Sequence, residues 1–308
     1  MKNKNHFIDV GDSFAKKLSK KNPDQISVEY CMMELTEHLM FISEVFNKLG
    51  IELAGMGMEI AAGTGTFSCS IARLYPNIEK IYALEIVPEV VKILQPKIIK
   101  HTNMQGRVIP MIGDFNNIQL PDNSLDFVIG YNSFHHSNDL KKTMAEVSRV
   151  LKSGGKLIFI DRAAPNYMTK AQEDWLLNRD YPKEYKIQHG IDPKKPYTRA
   201  QHGEHEPRFY DWDIAIFNAN LKLDSIAIFT QKTFKRFIKI LLSFVPFFIR
   251  AWFRRFLYLI VPRKFLLYYI CSPLAGYGKL KFFTLRTKLK TKAMAAMLLH
   301  MVFTAHKN

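Results

Sequence analysis

Short apolar runs alternate along this chain with stretches of helical spacing. From Ser27 to Leu49, SVEYCMMELTEHLMFISEVFNKL sets Met32, Leu35, Leu39, Phe41, Val45 and Phe46 at helical intervals, predicting a helix whose apolar face either covers a pocket edge or packs on a sheet. MEIAAGTGTF at 58–67 reads as a strand, a turn and a helix start, and FSCSIARLYP carries that helix to near Pro76. A second strand, IYALEI, reaches Glu85; a helical segment spans about residues 88–100; RVIPMIGD is a third strand ending at Asp114. LPDNSLDFVIGYNSFHH holds a turn and a fourth strand ending near Gly130, LKKTMAEVSRVL is a helix, and an SGG turn precedes a fifth strand, KLIFID, ending at Asp161. YDWDIAIFNAN follows as a helix, LKLDSIAIFT as a sixth strand and LLHMVFTAHK as a last one. Short apolar strands alternating with helices predict an α/β fold, its parallel sheet covered on both faces.

Two stretches depart from this rhythm. Residues 162–208 are rich in polar and ring residues without sustained periodicity, and a connection of that length predicts a functional lid. Residues 231–296 stand between the sixth strand and the last. The chain therefore divides into an N-terminal leader and cap helix (1–57), a core (58–230) containing the lid, a basic amphipathic insertion (231–296) and a closing strand (297–308).

Charge sharpens the picture of the insertion. The 308 residues carry a formal net charge of +16; no Asp or Glu follows Asp224, while fourteen Lys and Arg lie between residues 231 and 290. Residues 234–270, FKRFIKILLSFVPFFIRAWFRRFLYLIVPRKFLLYYI, mix aromatic and aliphatic residues with cations, and Pro246 and Pro262 cut them into short helices. The longest charge-free run there, ILLSFVPFFI, is far below the roughly 20 residues that cross a bilayer. Contact with an anionic membrane surface is the expectation; a helical cap over a substrate pocket, a dimer contact and a phosphate grip on RNA are the alternatives. Cys31, Cys69 and Cys271 are too scattered for a disulfide framework, and the polar N-terminus has no signal-type apolar core, so a cytoplasmic setting is expected, with a place at the inner face of a membrane.

Candidate chemistry gathers at the strand ends. Gly63 and Gly65 let the main chain approach a nucleotide-like ligand closely, and the amides of the helix start suit its anionic group. Glu85, about twenty residues after Gly65, has two acceptor oxygens for a ribose. Asp114 and Phe115 suit an adenine amine and ring. His135, His136, His202 and His205 are candidate bases, since imidazole titrates near neutrality. HGEHEPRFY also has a spacing of His202, His205 and Glu206 that would suit a metal on a helical turn, but Gly203 and Pro207 oppose that helix, so no metal is expected. Arg199, Arg208 and Tyr210 are candidate substrate contacts, the arginines as a phosphate clamp.

EIAAGTGTF (59–67), ALEI (83–86), GDFNNIQLPDNSLDFVIGYNSFHH (113–136) and EVSRVLKSGGKLIFID (146–161) together resemble a class I S-adenosylmethionine-dependent methyltransferase. The resemblance implies a Rossmann-like sheet of seven strands whose last, residues 299–307, is antiparallel. It implies S-adenosyl-L-methionine as cofactor, with Gly63 and Gly65 along its methionine part, Glu85 and the adjoining Ile86 at the ribose, Asp114 and Phe115 at the adenine and Asn132 near the sulfonium. Glu59 and Ala61 fall at the opening of the motif, Ala61 where many relatives carry a polar residue. The expected acceptor is a polar group, an oxygen, on a small molecule, a sugar or a lipid-linked glycan precursor. An RNA methyltransferase and a non-catalytic interaction protein are the other readings. A nicotinamide oxidoreductase fits less well, because AAGTGTF lacks the third glycine of GxGxxG.

Overall fold

A computed structural model of the protein describes residues 36, 39–164, 166, 168–188, 191–231, 280–285 and 301–308. A helix over residues 39–49, α1, precedes β1 (Gly55–Ile60), α2 (Thr66–Leu74) and β2 (Ile78–Glu85). A π-helical segment, Val90–Leu94, runs into α3 (Gln95–His101), and β3 (Val108–Ile112), β4 (Leu125–Tyr131), α4 (Leu140–Val150) and β5 (Leu151–Asp161) follow. The 162–208 segment, expected to be a lid and called so below, contains α5 (Lys170–Leu177) and α6 (Lys183–Gln188); α7 (Phe209–Asn218), β6 (Leu221–Gln231), β7 (Leu280–Leu285) and β8 (Met301–Lys307) complete the described elements.

The sheet order is β3-β2-β1-β4-β5-β8-β6-β7. β1 to β5 pair in parallel, whereas β8 runs antiparallel between β5 and β6. This is the expected seven-stranded arrangement with one strand added at the edge. That strand, β7, lies inside the segment expected to be a helical insertion and pairs in parallel with β6. LKFFTL is a short β-favouring run, overshadowed in the sequence by its cationic surroundings. The other expectations for 231–296, including its short helices, fall outside the described residues, except that Gln231 belongs to β6. The SGG segment differs as well: β5 starts at Leu151, and its pairing with β4 shifts register between Leu125 and Phe127, so the glycines lie within an irregular strand end.

Side chains alternate across the sheet and fill two cores. On one face Phe127, Ile129, Ile158 and Ile160 pack with Phe41, Ile42, Val45 and Phe46 of α1 and with Ile71 of α2. On the other, Val128, Leu157, Phe159 and Phe303 meet Met144 and Val147 of α4 and Trp212 and Ile216 of α7. Phe159 and Phe303 stack there with ring centroids 4.5 Å apart. The apolar face of α1 thus packs on the sheet, with Phe41 edge-on to Phe229 at 6.4 Å, and α1 contributes nothing to the cavity described below.

One close approach fixes the centre of the first core. Gly57 pairs directly with Phe127 across β1 and β4, and the Phe127 ring fills the space of a residue-57 side chain: a Cβ there would lie 2.1 Å from it. Gly57→Ala is expected to lower stability by roughly 1–3 kcal/mol through overpacking. Urea unfolding checks this, and an unchanged midpoint would show that Phe127 swings aside freely.

Candidate functional site

The parallel strands end on one side of the sheet, where loops collect polar side chains. Two strand ends there turn by left-handed backbone at residues other than glycine, Ala61 (φ 49) after β1 and Asn132 (φ 51) after β4. Both line a cavity of about 560 Å³ that also takes in Glu85, Ile86, Asp114, Phe115, Ser133 and His136. Asparagine reaches this region readily, as Asn103, Asn123 and Asn220 do elsewhere, so Ala61 is the strained one of the two.

Gly63 (φ 51) and Gly65 (φ 80) form the turn from β1 into α2. A Cβ at Gly63 would meet nothing within 4 Å, so the turn leaves open space on its outer side. Gly65 is the N-cap of α2 but has no side chain to cap it, and α2 has no acidic residue in its first turn. The amide of Ser68 instead donates to Glu59 Oε2 at 2.8 Å, and the Ser68 hydroxyl donates to the same oxygen. Glu59 is 2% exposed and does not line the cavity; it braces the turn from beneath. Burial pushes its carboxyl up to about 8 against the Ser68 hydrogen bonds.

Glu85 does face the cavity. Its Oε2 accepts from the Gly63 amide at 3.0 Å, and its Oε1 accepts from Ile86 and Val87 at 2.8 and 3.1 Å. Burial raises its pKa, opposed by these three amides. Asp114 accepts the Asn116 amide at 2.9 Å in a local turn, next to Phe115. Ser133 was missed in the sequence: it is 2% exposed, lines the cavity, and its hydroxyl has no hydrogen-bond partner among the described residues. The cavity volume, the acceptors at Glu85 and Asp114, the open glycine turn and the unpartnered Ser133 hydroxyl all suit a nucleoside-type cofactor.

The four histidines occupy different environments. His136 lines the cavity and donates from Nδ1 to the Gly203 carbonyl at 3.1 Å; burial, with His135 nearby, holds its pKa well below the usual value. His135 is buried, its ring tilted against that of His136 with centroids 4.1 Å apart, and its Nδ1 lies 2.7 Å from Asp161 Oδ1. His202 contacts the Tyr197 and Tyr185 hydroxyls at 3.0 and 3.2 Å inside a cluster of lid rings. His205 Nε2 is 3.0 Å from Asn138 Oδ1, on the cavity wall, and burial lowers its pKa.

The lid is tied down by charge. Arg162 and Arg199 both reach Glu204, which also accepts from the Tyr181 hydroxyl at 2.7 Å, and Arg199 additionally pairs with Glu206. The candidate phosphate clamp is therefore differently employed: Arg199 is bound in ion pairs, while Arg208 stands at the start of α7, 3.8 Å from Glu173. Tyr210 is half exposed, and none of these three lines the cavity.

Comparison with known proteins bears on the same residues. Residues 58–159 match the family model described as a methyltransferase domain. A ubiquinone/menaquinone biosynthesis C-methyltransferase of Geobacter sp. (strain M21) is 28% identical over 118 residues, 38% of this chain and 50% of that protein. A demethylmenaquinone methyltransferase of Geobacillus sp. (strain WCH70) is 21% identical over 135 residues, 44% and 56% of the two chains. The chain thus spans about half the length of these curated relatives. The solved structure of a putative sarcosine dimethylglycine methyltransferase from Galdieria sulphuraria shares the fold, with a TM-score of 0.50 and 15% identity over 87% of this chain and 83% of that one.

The Glu59 brace has a pH signature. Its carboxyl has an ordinary value of 4.5 and one of about 8 in the fold, so between these the folded chain holds more protons than the unfolded one. Its contribution is greatest below pH 4.5 and is lost as pH rises toward 8, on the order of a few kcal/mol. Unfolding free energies across that range should fall less steeply in Glu59→Gln than in the wild type; parallel curves would refute the assignment.

Proposed function

We propose that this chain, whose residues 58–159 are a class I S-adenosylmethionine-dependent methyltransferase domain, transfers a methyl group to an oxygen on a small molecule, a sugar or a lipid-linked precursor. The observation that carries the reading is one cavity lined both by Glu85, Asp114 and Phe115 and by His136. Bound S-adenosylmethionine supplies a sulfonium methyl that is already electrophilic, so alignment and exclusion of water are the main tasks.

Each residue's part follows from its chemistry. Glu85 keeps lone pairs beyond those used by its backbone donors and accepts the ribose hydroxyls. Asp114 accepts the adenine amine beside the Phe115 ring, while Asn132 and Ser133 supply polar groups on the wall that also carries His136. His136 donates from Nδ1 to Gly203, so its neutral ring presents Nε2 as the nitrogen that receives the acceptor's proton. Gly203 belongs to the lid, so this contact joins the base to the segment that excludes water.

The relatives named as C-methyltransferases support a second acceptor, a hydroxylated ring that becomes nucleophilic at carbon as well as oxygen once deprotonated. The same proton removal by His136 serves both, and NMR of the product methyl group separates them. The basic aromatic stretch 234–270 supports action at the cytoplasmic face of an anionic membrane. Co-sedimentation with anionic but not neutral vesicles is the expected result; equal recovery with both would remove the membrane from the proposal.

Two substitutions separate the cofactor and acceptor roles. Glu85→Ala should weaken S-adenosylmethionine binding about 10- to 100-fold by calorimetry, through loss of its hydrogen bonds to the ribose hydroxyls. His136→Ala should leave that affinity essentially unchanged while lowering kcat about 10²- to 10⁴-fold. Folded protein that never binds the cofactor would overturn the reading.

A further inference from the structure

We propose that His135, His136 and Glu204 form a binding site for a divalent first-row transition ion, zinc being the natural probe, between the cavity wall and the lid. One ligand atom from each lies within 4.8 Å of the others. An ion holds such donors at about 2.0–2.2 Å and spaces them about 3–4 Å apart, so movements of roughly 1 Å close the site. Two imidazoles and one carboxylate suit zinc or iron(II) and leave coordination positions for water or substrate.

Two further observations point to a cation. His135 is 1% exposed, yet its Nε2 has no hydrogen-bond partner among the described residues. Asp161 holds the other nitrogen at 2.7 Å and also accepts the amides of His135 and Arg162, at 3.2 and 2.8 Å. His135 Nε2 stands 3.5 Å from Glu204 Oε2, and with Nδ1 given to Asp161 it is the nitrogen left for an ion. Glu204 Oε2 is at present paired with Arg162 and Arg199, and an ion between it and Nε2 would take both as ligands.

The surrounding charge admits one. Asp161, Glu204 and Glu206 oppose Arg162 and Arg199, leaving one negative charge in excess when both imidazoles are neutral. A divalent ion converts that to one positive charge, which an anionic oxygen on the ion cancels. Glu204 must yield one of its present contacts, and Arg199 has Glu206 as its other partner. The ion goes beyond the proposed methyl transfer and does not depend on it. Where an acceptor hydroxyl coordinates it, the ion lowers the hydroxyl's pKa and the proton leaves to water, replacing His136 in that task.

The test is titration of the chelator-treated full chain with zinc by calorimetry and with cobalt(II) by visible absorption, without cofactor or acceptor. Its failure is therefore distinguishable from failure of the methyltransferase reading. One ion per chain at micromolar affinity or tighter is expected, with cobalt bands that report nitrogen and oxygen ligands. His136→Ala and Glu204→Gln, each checked for folding by circular dichroism, should each weaken binding at least about tenfold. His101→Ala, on a distant helix, should not. Binding no tighter than millimolar, or binding that the folded His136→Ala protein retains in full, would overturn the site.

Discussion

A glycine turn cannot cap the helix it begins, and much of the cofactor end of this protein follows from that constraint. Gly65 turns the backbone into α2 at a positive φ but offers no side-chain oxygen to the first amides of α2. Glu59, at the far end of β1, takes the Ser68 amide and hydroxyl. Glu85, at the end of the neighbouring strand, takes the Gly63 amide. Gln95 of α3 donates to the Gly63 carbonyl at 2.9 Å. The turn is thus held from two strands and a helix, and its outer side stays open at Gly63. Burying Glu59 for this purpose costs free energy, which appears as its raised pKa.

A second set of buried charges organises the opposite wall. Asp161 at the tip of β5 orients His135, whose ring supports His136, while Glu204 and Gly203 bring the lid onto both rings. Arg162 follows Asp161 directly in the chain and holds Glu204, so one strand end anchors both the imidazole pair and the lid. Networks of this kind contribute specificity more dependably than stability, because desolvation offsets most of the attraction. Their value here is positional: they set polar atoms beside a cavity from which the first core is excluded.

The added edge strand shows the same economy. β7 extends the sheet beyond β6, and Phe283 stacks on Phe229 at 5.4 Å, continuing the core that α1 closes through Phe41. A segment dominated by cations in the sequence therefore contributes a strand to the sheet and Phe283 to that core.

Local sequence was enough for the seven expected strands, though not for β7, and for most of the cavity wall. Apolar runs of strand length, separated by helical spacing, set the order of elements, and an acid, an amide or a glycine at the end of each run fell by topology on one side of the sheet. Glu85, Ile86, Asp114, Phe115, Asn132, Ala61 and His136 were legible because strand ends are local features and a parallel sheet collects them. Glu59 was legible as a motif residue but not as a buried brace, since its partner Ser68 depends on how α2 folds back. The Asp161–His135–Glu204 contacts, the employment of Arg199 in ion pairs and the unpartnered Ser133 hydroxyl came only from tertiary structure. Composition and spacing specify which polar groups a chain has; which of them are buried together, and which are left without a partner, is decided when distant segments meet.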